Sequence, residues 1–304
     1  MNSFLAIGEC MVEMAPLPEP NTYRRGFAGD TFNTAWYARR LLSRPAEVSY
    51  LTAIGEDDAS EAMLAFMGES GIDTRHIARR ADRTVGLYTI ELRDGERSFS
   101  YWRSHSAARL LARHLPDPNE VAGAKTVVHV SGITLAILAP EDRERLIEWL
   151  TRVRSLGASI SFDPNVRLRL WESVGAIREW VERAARTADI VLPSLDEEAR
   201  DFGVCDPGTA GALAVAERYL DWGARVVAVK NGGAPGVIAT DDGSRHVFEP
   251  VPVERVVDTT AAGDAFDAGF LVAWMGGADI ATSAERAASL SAKVVAHRGA
   301  LVPV

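Results

Sequence analysis

The chain has 304 residues, 47% of them hydrophobic and 25% charged, which is enough apolar material for a sizeable core and fits one large α/β domain or two smaller ones. Lys and Arg total 33 against 42 for Asp and Glu; the net charge of −9 argues against a nucleic-acid partner but leaves room for a small anionic substrate held by local arginines or a helix terminus. Cys10 and Cys205 lie outside any metal or redox spacing, the start lacks a signal-like basic region, and no run approaches the ~20 apolar residues of a membrane span, so a reduced, cytoplasmic protein without a membrane partner is expected.

Phe4–Ile7 reads as a buried strand that hands the chain to Gly8 and Glu9, and a polar, Pro-punctuated segment from Pro16 to Tyr23 follows. Gly29 and Asp30 open a helix with Ala35, Ala38, Leu41 and Leu42 at helical spacing. Val48–Ile54 is a second apolar strand, and Glu61–Gly71 a helix closed by glycine. Thr84–Tyr101 alternates in period two around Asp94-Gly95, predicting a β-hairpin that stands outside any βαβ series as a flap. From Lys125 the pattern is regular. Strands at Thr126–Val130, Ser159–Phe162, Ile190–Leu192 and Arg225–Val229 recur at roughly thirty to thirty-five residues, separated by helical patterns such as Glu141–Ser155 and the run carrying Val174, Ile177, Val181 and Ala184. Gly236–Thr240 and Arg245–Phe248 form an antiparallel edge hairpin, and helices at Ala265–Trp274 and Ser283–His297 close the chain. The expected fold is α/β, a doubly wound, mostly parallel sheet in one domain over residues 1–304 with a small inserted β-flap.

In such sheets ligands bind beyond the carboxyl ends of the strands. The polar residues there are Asp163, Asn165 and Arg167 after one strand, Ser194, Asp196 and Glu197 after the next, and Lys230, Asn231, Gly232 and Gly233 after the third. Asp163-x-Asn165-x-Arg167 would present three polar groups on one side of an extended loop, and a solvated loop with a capping Asp reads the same way. Tyr101 and Arg103, on one side of the flap, could clamp a carboxylated sugar with Tyr88 as a wall. The glycines from Lys230 to Gly236 do not make a Walker loop, and no GxGxxG follows the first strand, which removes the motif of a dinucleotide oxidoreductase. The most informative stretch is Asp258–Phe270, DTTAAGDAFDAGF. Ala262 and Gly263 carry no bulk at a helix start, so their N–H groups and the helix dipole make an anion site beside the Asp264 carboxylate. An anion site and a proton acceptor in one place is what phosphoryl transfer needs, although an ordinary capped helix would also place an Asp there.

These residues together resemble the ribokinase-like, or PfkB, carbohydrate kinase family, whose C-terminal DTxGAGDxFxxGF motif is similar to Asp258–Phe270. The likeness extends to Gly29, Asp30 and Asn33 in GDTFNTA, to Gly55, Glu56 and Asp57, and to Gly299. Within the family, Tyr101-Trp102-Arg103 with Ser106-Ala107-Ala108 and the DPNVR run resemble 2-keto-3-deoxygluconate kinases. The resemblance implies ATP and Mg²⁺ as cofactors and lid strands over about 10–28 and 84–104; separately, the apolar face of the projecting flap suggests a homo-oligomer formed through it. The resemblance implies phosphorylation of the primary (C6) hydroxyl of 2-keto-3-deoxygluconate or a close acidic keto-sugar. Fructose or another sugar, and a non-catalytic sugar or nucleotide sensor, are the alternatives. It further implies Asp264 as general base with Ala261, Ala262 and Gly263 at the anion hole. Gly29, Asp30, Asn33, Tyr88, Tyr101, Arg103 and Arg167 would line the sugar site, and Asn165, Ser194, Lys230, Gly233, Gly236 and Gly263 would lie near ATP. Two departures stand out. Ala261 replaces the first Gly of GAGD, and the family's Asn-x-x-Glu, associated with magnesium through its Glu, here Glu197, begins with Ser194.

Overall fold

The computed structural model describes residues 3–304 except Pro20, Asp94, Gly95, Val204, Cys205 and Pro207, so the predicted Asp94-Gly95 turn and the Cys205 thiol lie outside the described residues. Cys10 is buried. The strands are β1 Ser3–Ile7, β2 Met11–Pro16, β3 Tyr23–Ala28, β4 Glu47–Ile54, β5 Ile77–Arg79, β6 Gly86–Arg93 and β7 Glu96–Trp102. The second half adds β8 Thr126–Ser131, β9 Ser159–Asp163, β10 Ile190–Val191, β11 Val226–Val229, β12 Gly236–Thr240 and β13 Arg245–Phe248. Nine of them form one sheet in the order β13-β12-β11-β10-β9-β8-β1-β4-β5, parallel from β11 to β5 and antiparallel only at β12 and β13. The doubly wound, mostly parallel α/β fold is the one expected.

Period-two alternation along the central strands feeds two cores. Leu5, Ile7, Val128, Val130, Ile160 and Phe162 face the helices Pro140–Ser155 and Val174–Thr187. Phe4, Ala6, Val48, Tyr50, Ile190 and Leu192 face the helices Asp30–Leu41, Ala262–Met275 and Ile280–Val295. Each Val, Leu, Ile or Phe among them contributes about 1.5–3 kcal/mol on burial, and sealing both faces explains why these strands read as continuous apolar runs. The first helix and the Ala262–Met275 helix share a face and pack together, although more than two hundred residues separate them. Gly269 lets the Ala262–Met275 helix approach the last helix, because a Cβ there would stand 2.8 Å from the Cα of Ala287.

The flap is larger than one hairpin. β6 and β7 pair antiparallel, β2 lies parallel to β6, and β3 completes a four-stranded sheet in the order β3-β2-β6-β7. Local period reveals the β6–β7 ribbon, whereas β2 and β3, broken up by charges and the Pro16–Tyr23 connection, are strands because β6 supplies an edge for β2 and β2 supplies one for β3. Among the described residues no helix is long and apolar enough to cross a membrane.

Candidate active site

Because β1, β8, β9, β10 and β11 are parallel, their carboxyl ends open on one side, where the four-stranded sheet leans over them. A cleft of about 1220 Å³ lies between. Its lining brings together Gly29, Asp30, Asn33, Tyr88, Tyr101, Arg103, Asn165, Arg167, Ser194, Glu197, Lys230, Ala261, Ala262, Gly263 and Asp264, residues drawn from the whole chain. Gly233 and Gly236 do not line it. Gly236 begins β12 under Phe248, whose ring atom a Cβ would meet at 2.2 Å, so this glycine serves packing.

Two helix N-termini converge in the cleft. Gly29 caps the first helix in extended backbone, φ 179°, and is required for space, since a Cβ there would come within 2.1 Å of the Glu9 carbonyl oxygen. Ala261 caps the other helix with φ 60° and ψ 13°, the left-handed region that the family's usual glycine enters without strain. The first-turn N–H groups that follow have no intrahelical acceptors, and although Ala262 N donates to Thr259 O at 3.2 Å, the turn as a whole faces the cleft. Asp258, the first residue of the motif, accepts from Thr260 N at 3.0 Å and from Gly299 N at 2.6 Å, fastening the loop to the C-terminal tail.

Asp264 stands in the first turn, where Asn33 Nδ2 donates to its Oδ2 at 2.7 Å. Burial, reinforced by the nearby Asp30 charge and opposed by the Asn33 hydrogen bond, pushes its pKa up to about 8. A carboxyl held near neutrality is a stronger base than an ordinary aspartate and matches proton abstraction from an alcohol. Asp30 Oδ2 accepts from Ser131 Oγ at 2.5 Å and from Asn165 Nδ2 at 3.0 Å. Asn165 N in turn donates to Asp163 Oδ1 at 3.1 Å, and Asn165 takes φ 34°, so the loop after β9 is not the extended segment expected from its spacing. Lys230 Nζ donates to Asp163 Oδ2 at 3.0 Å and to Asp267 Oδ1 at 2.9 Å. Burial works against its charge, but the two carboxylates outweigh it and raise the ammonium pKa above its ordinary value.

These contacts close a ring. It runs from Asp264 through Asn33 and the first helix to Asp30, then through Asn165, Asp163 and Lys230 to Asp267 on the helix of Asp264 itself. Sequence reasoning did not single out Ser131, Asp267 or Glu9 for the site. Asp267 was legible as the second acid in an apolar helix, one turn beyond Asp264, but neither Ser131 nor Glu9 carries a local signal.

The lid side differs from expectation at both arginines. Tyr88 and Tyr101 oppose each other across β6 and β7 with ring centroids 5.7 Å apart, and the Arg103 guanidinium lies 5.9 Å from the Tyr101 centroid. Arg103, however, is ion-paired with the buried Glu9, and Tyr88 OH donates to Glu13. Arg167 is ion-paired with Glu197, whose Oε2 also accepts from Val166 N at 2.9 Å. Neither arginine is an unpaired cation awaiting a carboxylate, and the Glu197 oxygens face Arg167 and a backbone N–H, not an open metal position. Among the described residues no cluster of three or more His, Cys, Asp or Glu side chains could hold a metal ion.

A doubly wound sheet, a β-lid over its strand ends and an acid in the first turn of a helix beneath that lid define a sugar phosphotransferase of ribokinase-like fold. The chain belongs to the pfkB family carbohydrate kinases, whose profile matches residues 1–304. It is 36% identical over 305 residues to a 2-dehydro-3-deoxygluconokinase of Escherichia coli K12, covering 98% of this chain and 96% of that one. Among solved structures, a PfkB protein from Polaromonas sp. JS666 superposes with a TM-score of 0.84 at 26% identity, covering 98% of this chain and 96% of that one. A fructokinase from Xylella fastidiosa with bound ATP does so with a TM-score of 0.81 at 25% identity, covering 98% and 93%.

Proposed function

We propose that the protein transfers the γ-phosphoryl group of ATP to the primary (C6) hydroxyl of 2-keto-3-deoxygluconate, the compound also named 2-dehydro-3-deoxygluconate. The observation that carries the chemistry is Asp264, raised toward neutrality at a helix N-terminus in a cleft large enough for a sugar and a nucleotide. The substrate rests on the relatives named 2-dehydro-3-deoxygluconokinase, 33–36% identical over nearly the whole chain.

In this reading Gly29, Asp30, Asn33, Tyr88, Tyr101, Arg103 and Arg167 surround the sugar, and Asn165, Ser194, Lys230 and Gly263 lie toward the nucleotide. Asn33 orients Asp264, which accepts the hydroxyl proton as the bond to phosphorus forms. The small residues Ala261, Ala262 and Gly263 let phosphate oxygens approach the first-turn amides, and the dipole stabilises their charge. Mg²⁺ would enter with ATP and supply charge neutralisation between phosphate groups, with Glu197, which lines the cleft, acting on it only indirectly because its oxygens are held by Arg167 and Val166 N. The lid keeps water from the transferring group.

A neutral sugar such as fructose is the second reading. It is favoured by the pairing of both cleft arginines, Arg103 with Glu9 and Arg167 with Glu197. ADP release measured over acidic and neutral sugars separates the two. The first reading expects kcat/KM for 2-keto-3-deoxygluconate well above that for fructose; a value for fructose equal to or above it supports the second.

A further inference from the structure

The triad of Lys230, Asp163 and Asp267 lies beneath the anion site, and the contacts proposed above do not use Asp267. All three groups are buried, and Lys230 Nζ stands between the two carboxyl groups at 3.0 and 2.9 Å. A Cβ built on Gly263 would lie 3.6 Å from the same ammonium, so the triad lies beside the first turn that carries Asp264. Asp163 has a partner on each oxygen, Asn165 N and Lys230. Asp267 has Lys230 on Oδ1 only; its buried Oδ2 meets no hydrogen-bond donor. A carboxylate oxygen buried without a donor is destabilising, and two full negative charges around one ammonium leave a net buried charge. A proton on Oδ2 removes both costs, because the neutral acid then donates where the anion would have no partner, and Asp163 is the neighbouring acceptor.

We infer that Asp267 is a positioning residue that works as a neutral acid, accepting from Lys230 through one oxygen and donating to Asp163 through the other, and so locks the helix of Asp264 to the ends of β9 and β11. Burial, opposed by Lys230 and reinforced by the Asp163 charge and its hydrogen bond, raises the Asp267 pKa well above the usual carboxylate range, in the same direction. The titratable groups facing the triad are Asp30, Asp264, Glu197 and Arg167 in the cleft, with the buried His129 imidazole behind Asp163 on β8. Asp267 closes the ring that returns through Asn165, Asp30 and Asn33 to Asp264. Opening the ring at this point frees the base without touching substrate.

An Asn side chain copies the neutral acid, with Oδ1 accepting from Lys230 and Nδ2 donating to Asp163, whereas Ala copies neither bond. Asp267→Asn is therefore expected to keep kcat within about threefold, and Asp267→Ala to lower kcat about 10- to 100-fold, with sugar KM nearly unchanged in both. Wild-type kcat in Asp267→Ala, or equal damage in both variants, overturns the inference. The kinetic arm rests on the kinase reading; a second measurement does not. Infrared difference spectra of wild type minus Asp267→Asn at neutral pH are expected to show a protonated carboxyl band that shifts in deuterium oxide, and a carboxylate band in its place overturns the inference even where Asp267→Ala fails to fold.

Discussion

Asn33 on the first helix donates a 2.7 Å hydrogen bond to Asp264 on the helix near the other end of the chain, joining two helix N-termini across the mouth of one cleft. The bond favours the carboxylate, while burial and Asp30 favour the acid, and the balance lies at about pH 8. The base is thus tuned by groups that also fix its direction.

Replacing Asp264 by Asn removes the proton acceptor and keeps the shape. Turnover is expected to fall by about 10²–10⁴-fold or more, with ATP binding by calorimetry retained. The same change is expected to raise stability at pH 7–8. The folded-state pKa is above the unfolded one, so stability from the protonated form is present below about pH 4 and is lost as pH rises through about 8. Allowing for solvent in the cleft, the gain in Asp264→Asn is on the order of 1–3 kcal/mol, readable as a higher Tm that wild type recovers on acidification.

The pH profile follows the same sign. Because the base acts as its anion, kcat/KM is expected to rise with pH and level off above about 8. Asn33→Ala removes a hydrogen bond to the charged form, so its acid limb moves to higher pH. A limb that stays in place, or moves down, separates Asn33 from the tuning of Asp264.

Ala261 sits at φ 60°, where a Cβ costs roughly 1–2 kcal/mol. Ala261→Gly relieves that strain but adds about 0.5–1 kcal/mol of unfolded-chain entropy, so its stability is expected to stay within about 1 kcal/mol of wild type. Ala261→Val places a β-branched residue there and is expected to lose more than about 2 kcal/mol in denaturant unfolding, with reduced kcat from a displaced first turn.

Glu9 is almost wholly buried at 1% side-chain exposure, and Arg103 is its ion-pair partner. Arg103→Met leaves that carboxylate alone and is expected to destabilise the protein by about 3–5 kcal/mol, whereas Arg103→Met with Glu9→Gln recovers most of the loss. Chemical unfolding of the two single variants and the double variant measures the coupling.

Much of this site could be read from the chain. Asp264, Gly29, Asp30, Asn33, Tyr101 and Arg103 fall in short strings whose residue types carry a stated chemistry, and all of them line the cleft. Expectation and structure diverge where partners come from distant segments. Arg103 and Arg167 looked like free cations because Glu9 and Glu197 are 94 and 30 residues away. The Asn165 turn is a local case, since its N–H donates to Asp163 two residues earlier, an Asx-type turn that an extended reading of the loop leaves out. Gly236 resembled part of a nucleotide loop, yet the Phe248 ring opposite it accounts for the missing side chain.

By itself, the sequence determined the alternation of strands and helices, the acid beside a small-residue helix start, and the family to which these belong, because each depends on period and on neighbours close in the chain. Only the tertiary structure decided which charges are paired, how far Asp264 is raised, and that Asp267 closes a ring back to it. Those properties depend on burial and on distances of about 3 Å between side chains far apart in sequence, and the parallel sheet sets both by bringing its strand ends to one side.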